Sequence, residues 1–122
     1  MNKPVVFTLP FPPSSNSLFR NAPKPHMKRP KTKGYLSWLQ SAGWQLKIQR
    51  VSAVKGPVKL TYELYNSARG PNKLWDYANR EKACTDLLVE HGIIEADSQK
   101  CLRRLVMEWA DINGIRITIN GL

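Results

Sequence analysis

Six of the nine carboxylates in this 122-residue chain fall within residues 75–99, WDYANREKACTDLLVEHGIIEADSQ, although the formal charge of the whole is +10. Acid gathered inside a cationic protein suits a divalent cation placed where an anionic ligand is drawn in. Ala83, Leu87 and Leu88 recur at helical spacing and Gly92 is a natural stop, which predicts a helix over Asn79–His91, roughly 20 Å long. Asp76 stands at its start. The stretch Ile93-Ile94-Glu95-Ala96-Asp97 then reads as extended, and five residues at roughly 3.3 Å each cover about 17 Å, nearly the helix length. If Gly92 turns the chain back, Asp97 returns beside Asp76. Two aspartates at a helix N-terminus, with Asn79 and Lys82 one turn apart, would make a hard oxygen site with a cation for phosphate beside it. That is the outline of a magnesium-dependent nuclease. In the alternative reading Asp76 caps the helix, Asp97-Ser98 forms a turn or a cap, and Lys82 and Asp86 are an exposed i,i+4 pair. Spacing leaves both open.

The elements that must position these residues belong to one domain, residues 1–122, long enough for a core but too short for a second. Residues 1–62 hold eleven Lys or Arg and no acid, while residues 63–122 hold eight basic residues and all nine acids. A polycationic half points to a polyanionic partner, most commonly nucleic acid. Cys84 and Cys101 have no metal-type spacing and read as reduced thiols. His26 and His91 make no metal pair. No apolar run approaches the roughly 20 residues that cross a bilayer, and no signal-peptide core opens the chain, so a cytoplasmic protein without a membrane partner is expected.

In chain order, Val5–Leu9 is a β-rich run ended by Pro10, and Pro12-Pro13-Ser14-Ser15-Asn16 forces an extended, turning segment. Residues 20–34 carry Arg20, Lys24, Lys28, Arg29, Lys31 and Lys33 among prolines with no apolar periodicity. This predicts a flexible basic loop able to contact phosphates without reading sequence. Tyr35–Val51 is a helix candidate with Leu36, Leu39, Gly43 and Leu46 along one face and Trp38 and Trp44 beside it as core or interface residues. Val58–Tyr65 alternates over eight residues as a half-buried strand, and residues 66–73 are loop by composition. Leu102–Trp109 alternates again, Asn113-Gly114 signals a tight turn, and Ile115, Ile117 and Ile119 alternate with Arg116, Thr118 and Asn120. The chain is therefore expected to end in an antiparallel hairpin. The expected fold is α/β (α+β), a mixed four-stranded sheet with two helices in the order β-α-β-α-β-β.

Several of these stretches, in this order, resemble the RusA family of Holliday junction resolvases, small dimeric endonucleases often carried by phages and prophages. Leu9-Pro10-Phe11-Pro12-Pro13-Ser14-Ser15-Asn16 is similar to the family's LPxPPSxN opening. Asp76-Tyr77-Ala78-Asn79-Arg80-Glu81-Lys82-Ala83 resembles its DxDNxxKAxxDAL segment, and Asp86-Leu87-Leu88, Gly92 and Glu95-Ala96-Asp97-Ser98-Gln99 fall at its DAL, G and EDDSQ elements. The resemblance implies that Asp76 and Asp97 are metal-binding aspartates and Lys82 the essential lysine. It departs at Ala78, where the family has a further aspartate, and at Ala96, where an acid commonly precedes the last one. Asn79, Glu81, Asp86 or Glu95 would be auxiliary oxygen donors.

The resemblance implies a Mg²⁺-dependent endonuclease, with Mn²⁺ as a possible substitute, acting as a homodimer on branched DNA by symmetric nicking in recombination and repair. Its runner-up is a junction-binding relative in which Ala78, natural or introduced, has removed cleavage. A basic RNA-binding or regulatory protein is a third reading, lowered by the lack of any aromatic RNA-reading motif.

Overall fold

The computed structural model describes residues 3–22, 24–65 and 78–122. Strand β1 (Val5–Leu9) leads through a 3-10 turn at Ser15–Ser17 to helix α1 (Lys33–Ile48). Strand β2 (Val58–Tyr65), helix α2 (Ala78–Glu90), strand β3 (Leu102–Ala110) and strand β4 (Ile115–Gly121) follow. Two helices and a mixed four-stranded sheet form a single small α+β domain in the expected element order.

The alternation read in the strands decides what they bury. Val58, Leu60, Tyr62 and Leu64 of β2, Ile115, Ile117 and Ile119 of β4, and Phe7 and Leu9 of β1 all point into one core against the two helices. The opposite face of the sheet carries Thr61, Glu63, Arg116 and Thr118. Helix α1 contributes Tyr35, Trp38, Ala42 and Leu46, and α2 contributes Ala83, Cys84, Leu87 and Leu88. Trp38 belongs to the core and donates its indole N–H to the Pro10 carbonyl at 2.9 Å. Trp44 is 64% exposed, so the two tryptophans have opposite fates.

Helix α1 starts and stops earlier than its periodicity suggests. The Thr32 hydroxyl accepts from the Tyr35 N–H as an N-cap, and Arg50 takes a left-handed backbone (φ 52°) that closes the other end, with Val51 N–H on the Leu46 carbonyl. The Gln49 side-chain amide, just past the helix, donates to the Thr8 carbonyl and accepts from the Thr8 N–H at 2.6 and 2.9 Å. It thereby covers part of the free edge of β1.

The expected C-terminal hairpin does not form. The strand order is β1-β4-β2-β3, with β4 antiparallel to both β1 and β2 and β3 parallel to β2. The Ala110–Ile115 link passes over the end of β2, where Tyr65 N–H donates to the Gly114 carbonyl at 2.9 Å. Gly114 has φ +74°, and a Cβ there would run into the Leu9 carbonyl oxygen, so the Asn-Gly pair serves a close crossing instead of a two-residue hairpin. Edge placement suits β3, which carries Arg103, Arg104 and Glu108 exposed, whereas the alternating isoleucines of β4 gain apolar neighbours on both sides.

Candidate functional site

The proline-rich segment after β1 is fastened to the first turn of α2. Pro10, Pro12 and Pro13 cannot continue a ladder, and Ser14 turns the chain by accepting the Asn16 N–H at 3.2 Å. Ser15 Oγ then donates to Asn79 Oδ1 at 3.3 Å. Arg80 Nη1 donates to the Pro12 carbonyl at 3.0 Å, and its guanidinium lies 5.0 Å from the Phe11 ring centre. Burial lowers the Arg80 pKa. Two motifs more than sixty residues apart in sequence therefore share one locus. The structural role of Arg80 was missed from sequence, although a signal existed: a proline-rich run offers carbonyls with few N–H groups of its own and must borrow donors.

Along α2 the functional candidates and the core separate by face. Asn79 and Lys82 stand one turn apart. Lys82 Nζ lies 3.2 Å from Asp86 Oδ2, with the two side chains 52% and 39% exposed. This is the i,i+4 pair of the alternative reading, worth a few tenths of a kcal/mol at about this exposure. On the inner face the Thr85 hydroxyl pairs with the Tyr62 hydroxyl at 2.8 Å, tying α2 to the sheet, and burial pushes the Tyr62 phenol far up. Burial likewise pushes the Cys84 thiol up, with Glu81 adding to it, so this cysteine is an inert core group. The Tyr35 phenol at the start of α1 is raised by burial and then by the Asp86 and Glu90 carboxylates.

At the other end of α2 the expected extended return is replaced by a tight stop. Gly92 (φ +69°) donates to the Val89 carbonyl and Ile93 to the Leu88 carbonyl, a Schellman closure, and both Ile93 and Ile94 are buried. Residues 91–95 form turns and bends. Two consecutive isoleucines that must both face the core cannot lie on one face of a strand, so the chain coils there. Asp97 and Glu95 are exposed; Cys101 Sγ lies 3.9 Å from Glu95 Oε2, and the Ser98 carbonyl accepts from the Cys101 and Leu102 N–H groups at the entry to β3. Asp97 thus sits between Ile94 and the first residue of β3. Asp76 lies outside the described residues, and with it the expected meeting of Asp76 and Asp97. Among the described residues no three His, Cys, Asp or Glu side chains come together as a metal cluster. The donors present, the Asp97 and Glu95 carboxylates and the Asn79 amide oxygen oriented by Ser15, are hard oxygens of the kind magnesium and manganese take.

The basic segment expected to be flexible is closed at its base. Phe19 and Lys31 form an antiparallel bridge, Arg20 N–H donates to the Pro30 carbonyl and Thr32 N–H to the Leu18 carbonyl. Arg29 spends Nε on the Arg20 carbonyl and Nη2 on the Phe19 carbonyl, both at 3.1 Å, and lies 5.9 Å from the Phe19 ring centre. It braces the loop. Arg20, Lys24, Lys28, Lys31 and Lys33 are exposed, Lys33 as the first residue of α1.

A second cation–carboxylate pair lies on the sheet's open face. Arg116 Nε and Nη2 each donate to a Glu63 carboxylate oxygen at 2.8 Å, a bidentate contact between cross-strand neighbours. That hydrogen bonding holds the Glu63 pKa below the ordinary carboxylate range.

With the joined motifs in view, the profile of the endodeoxyribonuclease RusA family matches residues 10–120. The chain belongs to the RusA family. No curated protein matches it. The matched span runs from the end of β1 to β4, so it takes in both the proline-rich segment and α2. Membership implies Holliday junction resolution as the class of activity, with DNA binding and a role in recombination and repair. Among the described residues no helix is long and apolar enough to cross a membrane.

Proposed function

We propose that this RusA-family protein is a Mg²⁺-dependent endonuclease, with Mn²⁺ able to replace Mg²⁺, that nicks four-way DNA junctions symmetrically as a homodimer in the cytoplasm of a bacterial or phage-infected cell. The observation that carries this reading is the fastening of Ser15, Pro12 and Phe11 to Asn79 and Arg80. It gathers the two sequence stretches that most resemble the family onto the entrance of α2.

In this reading Asp76 and Asp97 would hold the metal, which when bound supplies Lewis-acid polarisation of the scissile phosphate and a more acidic water. Lys82 leaves Asp86 to neutralise charge building on the phosphate, a small cost because the exposed pair is weak. Asn79, its oxygen oriented by Ser15, and Glu95 or Asp86 are auxiliary donors. The exposed cations Arg20, Lys24, Lys28, Lys31 and Lys33 bind phosphates of the junction arms. Arg29 adds a positive field while holding the loop's shape.

Asp97→Asn and Asp76→Asn should each abolish nicking of a synthetic four-way junction in Mg²⁺ while leaving junction binding in a gel-shift titration unchanged. Removing one anionic ligand weakens metal binding but leaves the basic surface intact. Undiminished nicking by both variants would remove the acidic stretch from the chemistry.

A second reading rests on Ala78, the first residue of α2. A methyl group there supplies no metal ligand, so a protein that binds junctions without cutting them is the outcome if two aspartates do not suffice.

A further inference from the structure

On the open face of the sheet, at the end of β2 farthest from the entrance to α2, Pro57, Lys59, Arg103, Arg104 and Leu122 line a cavity of about 460 Å³. Three of the five are cations. Lys59 and Arg104 are direct cross-strand partners in the parallel β2–β3 pair. Arg103 joins them because the register slips there: Val58 pairs with Leu102 and Lys59 with Arg104, leaving Arg103 as the extra residue of a bulge. Without the bulge, Arg103 and Arg104 would face opposite sides of the sheet; with it, both line one cavity.

This arrangement works against folding. Like charges directly opposite in a sheet are destabilising, and no acidic side chain lines the cavity. Among the described residues the ion pairs are Lys82–Asp86 and Arg116–Glu63, and neither reaches these three cations. Farther along the same two strands Glu63 faces Glu108, so the strand pair segregates its charges where one exchange would have paired them. A local conflict of this kind, repeated and polarised, marks a binding surface better than it marks a structural device.

We propose that the Lys59–Arg103–Arg104 cavity is a phosphate-binding subsite for the DNA backbone, distinct from the basic loop at residues 20–34. Two guanidiniums and an ammonium around an open cavity match phosphate oxygens, which arginine takes bidentately, and no side-chain carboxylate or amide stands among them. The assignment rests on the junction-binding reading above.

The test is the salt dependence of binding to a fluorescein-labelled four-way junction, measured by anisotropy for wild type, Arg103→Gln/Arg104→Gln and the charge-matched Lys3→Gln/Lys47→Gln. The pocket variant should lower the slope of log K against log salt by about 2, close to 0.9 per lost phosphate contact, and the control should leave it unchanged. A slope equal to that of the control overturns the subsite while leaving junction binding standing; wild type that binds no junction overturns both. Weakened pyrophosphate binding without any change in the DNA slope also overturns it, since the cavity would then serve a free anion. If the double variant melts below wild type, Arg103→Gln alone at the bulge should still lower the slope by about 1, and no change would count against the proposal.

Discussion

In the proposed site Asp76, Lys82 and Asp97 carry the chemistry, and Ala78, the first residue of α2, adds no carboxylate to it. A carboxylate at that place would lie where the helix dipole favours negative charge and would add an anionic oxygen donor to the proposed site. Ala78→Asp is therefore expected to raise the nicking rate on a four-way junction at limiting Mg²⁺, and to create activity outright if the natural protein only binds. A rate unchanged across a magnesium titration would show that the position has no part in metal binding. Glu63 makes a different prediction. Its folded pKa is depressed, chiefly by the two hydrogen bonds from Arg116, so its contribution to stability is present above the ordinary glutamate range and is lost as pH falls through the lowered value. The pair is partly exposed, so solvent screening keeps the effect small. Urea titrations from pH 6 down to pH 3 should show Glu63→Gln losing less stability than wild type; parallel losses would mean the pair contributes nothing.

At the scale of elements, the link from β3 to β4 is the most demanding piece of backbone. It skips over β2, and Gly114 both adopts a left-handed conformation and passes against the Leu9 carbonyl. Gly114→Ala is expected to destabilise the fold by roughly 2 kcal/mol or more, because the strained φ costs about 1 kcal/mol and the clash with a backbone atom cannot be relieved by rotating a side chain. Chemical denaturation would read this directly, and a loss under about 0.5 kcal/mol would mean the crossing can relax. Gly92 and Arg50 also take positive φ, yet each only ends a helix, and no atom stands within 4 Å of the Cβ that Gly92 lacks.

At the scale of the molecule, the described residues carry two separate groups of cations. The exposed cations of residues 20–33 lie on the segment that leads into α1, while Lys59, Arg103 and Arg104 gather at the far end of the sheet. Two cationic regions on one small domain suit a ligand longer than the domain's own site. One domain with one such site makes one cut, so two symmetric cuts require two copies. Light scattering at assay concentration is expected to give twice the 13.9 kDa chain mass. A monomer mass with symmetric nicking intact would refute the dimer.

Much of this was legible in the chain alone. The alternation of Val58 to Tyr65 and of Ile115 to Ile119, and the spacing of Ala83, Leu87 and Leu88, determined the elements and which face each one buries, because burial depends on local periodicity. The segments that carry the family resemblance were likewise readable as residue types at fixed spacing. Strand order was not, since alternation names the buried face without naming the neighbour, and the Asn-Gly signal at 113–114 was overridden by β2 entering between β3 and β4. Nor could spacing reveal that Arg80 serves the Pro12 carbonyl, that Arg29 braces its own loop, or that a bulge turns Arg103 and Arg104 toward Lys59. Those contacts join residues distant in sequence or depend on a one-residue slip in register, and only the packed tertiary structure decides them.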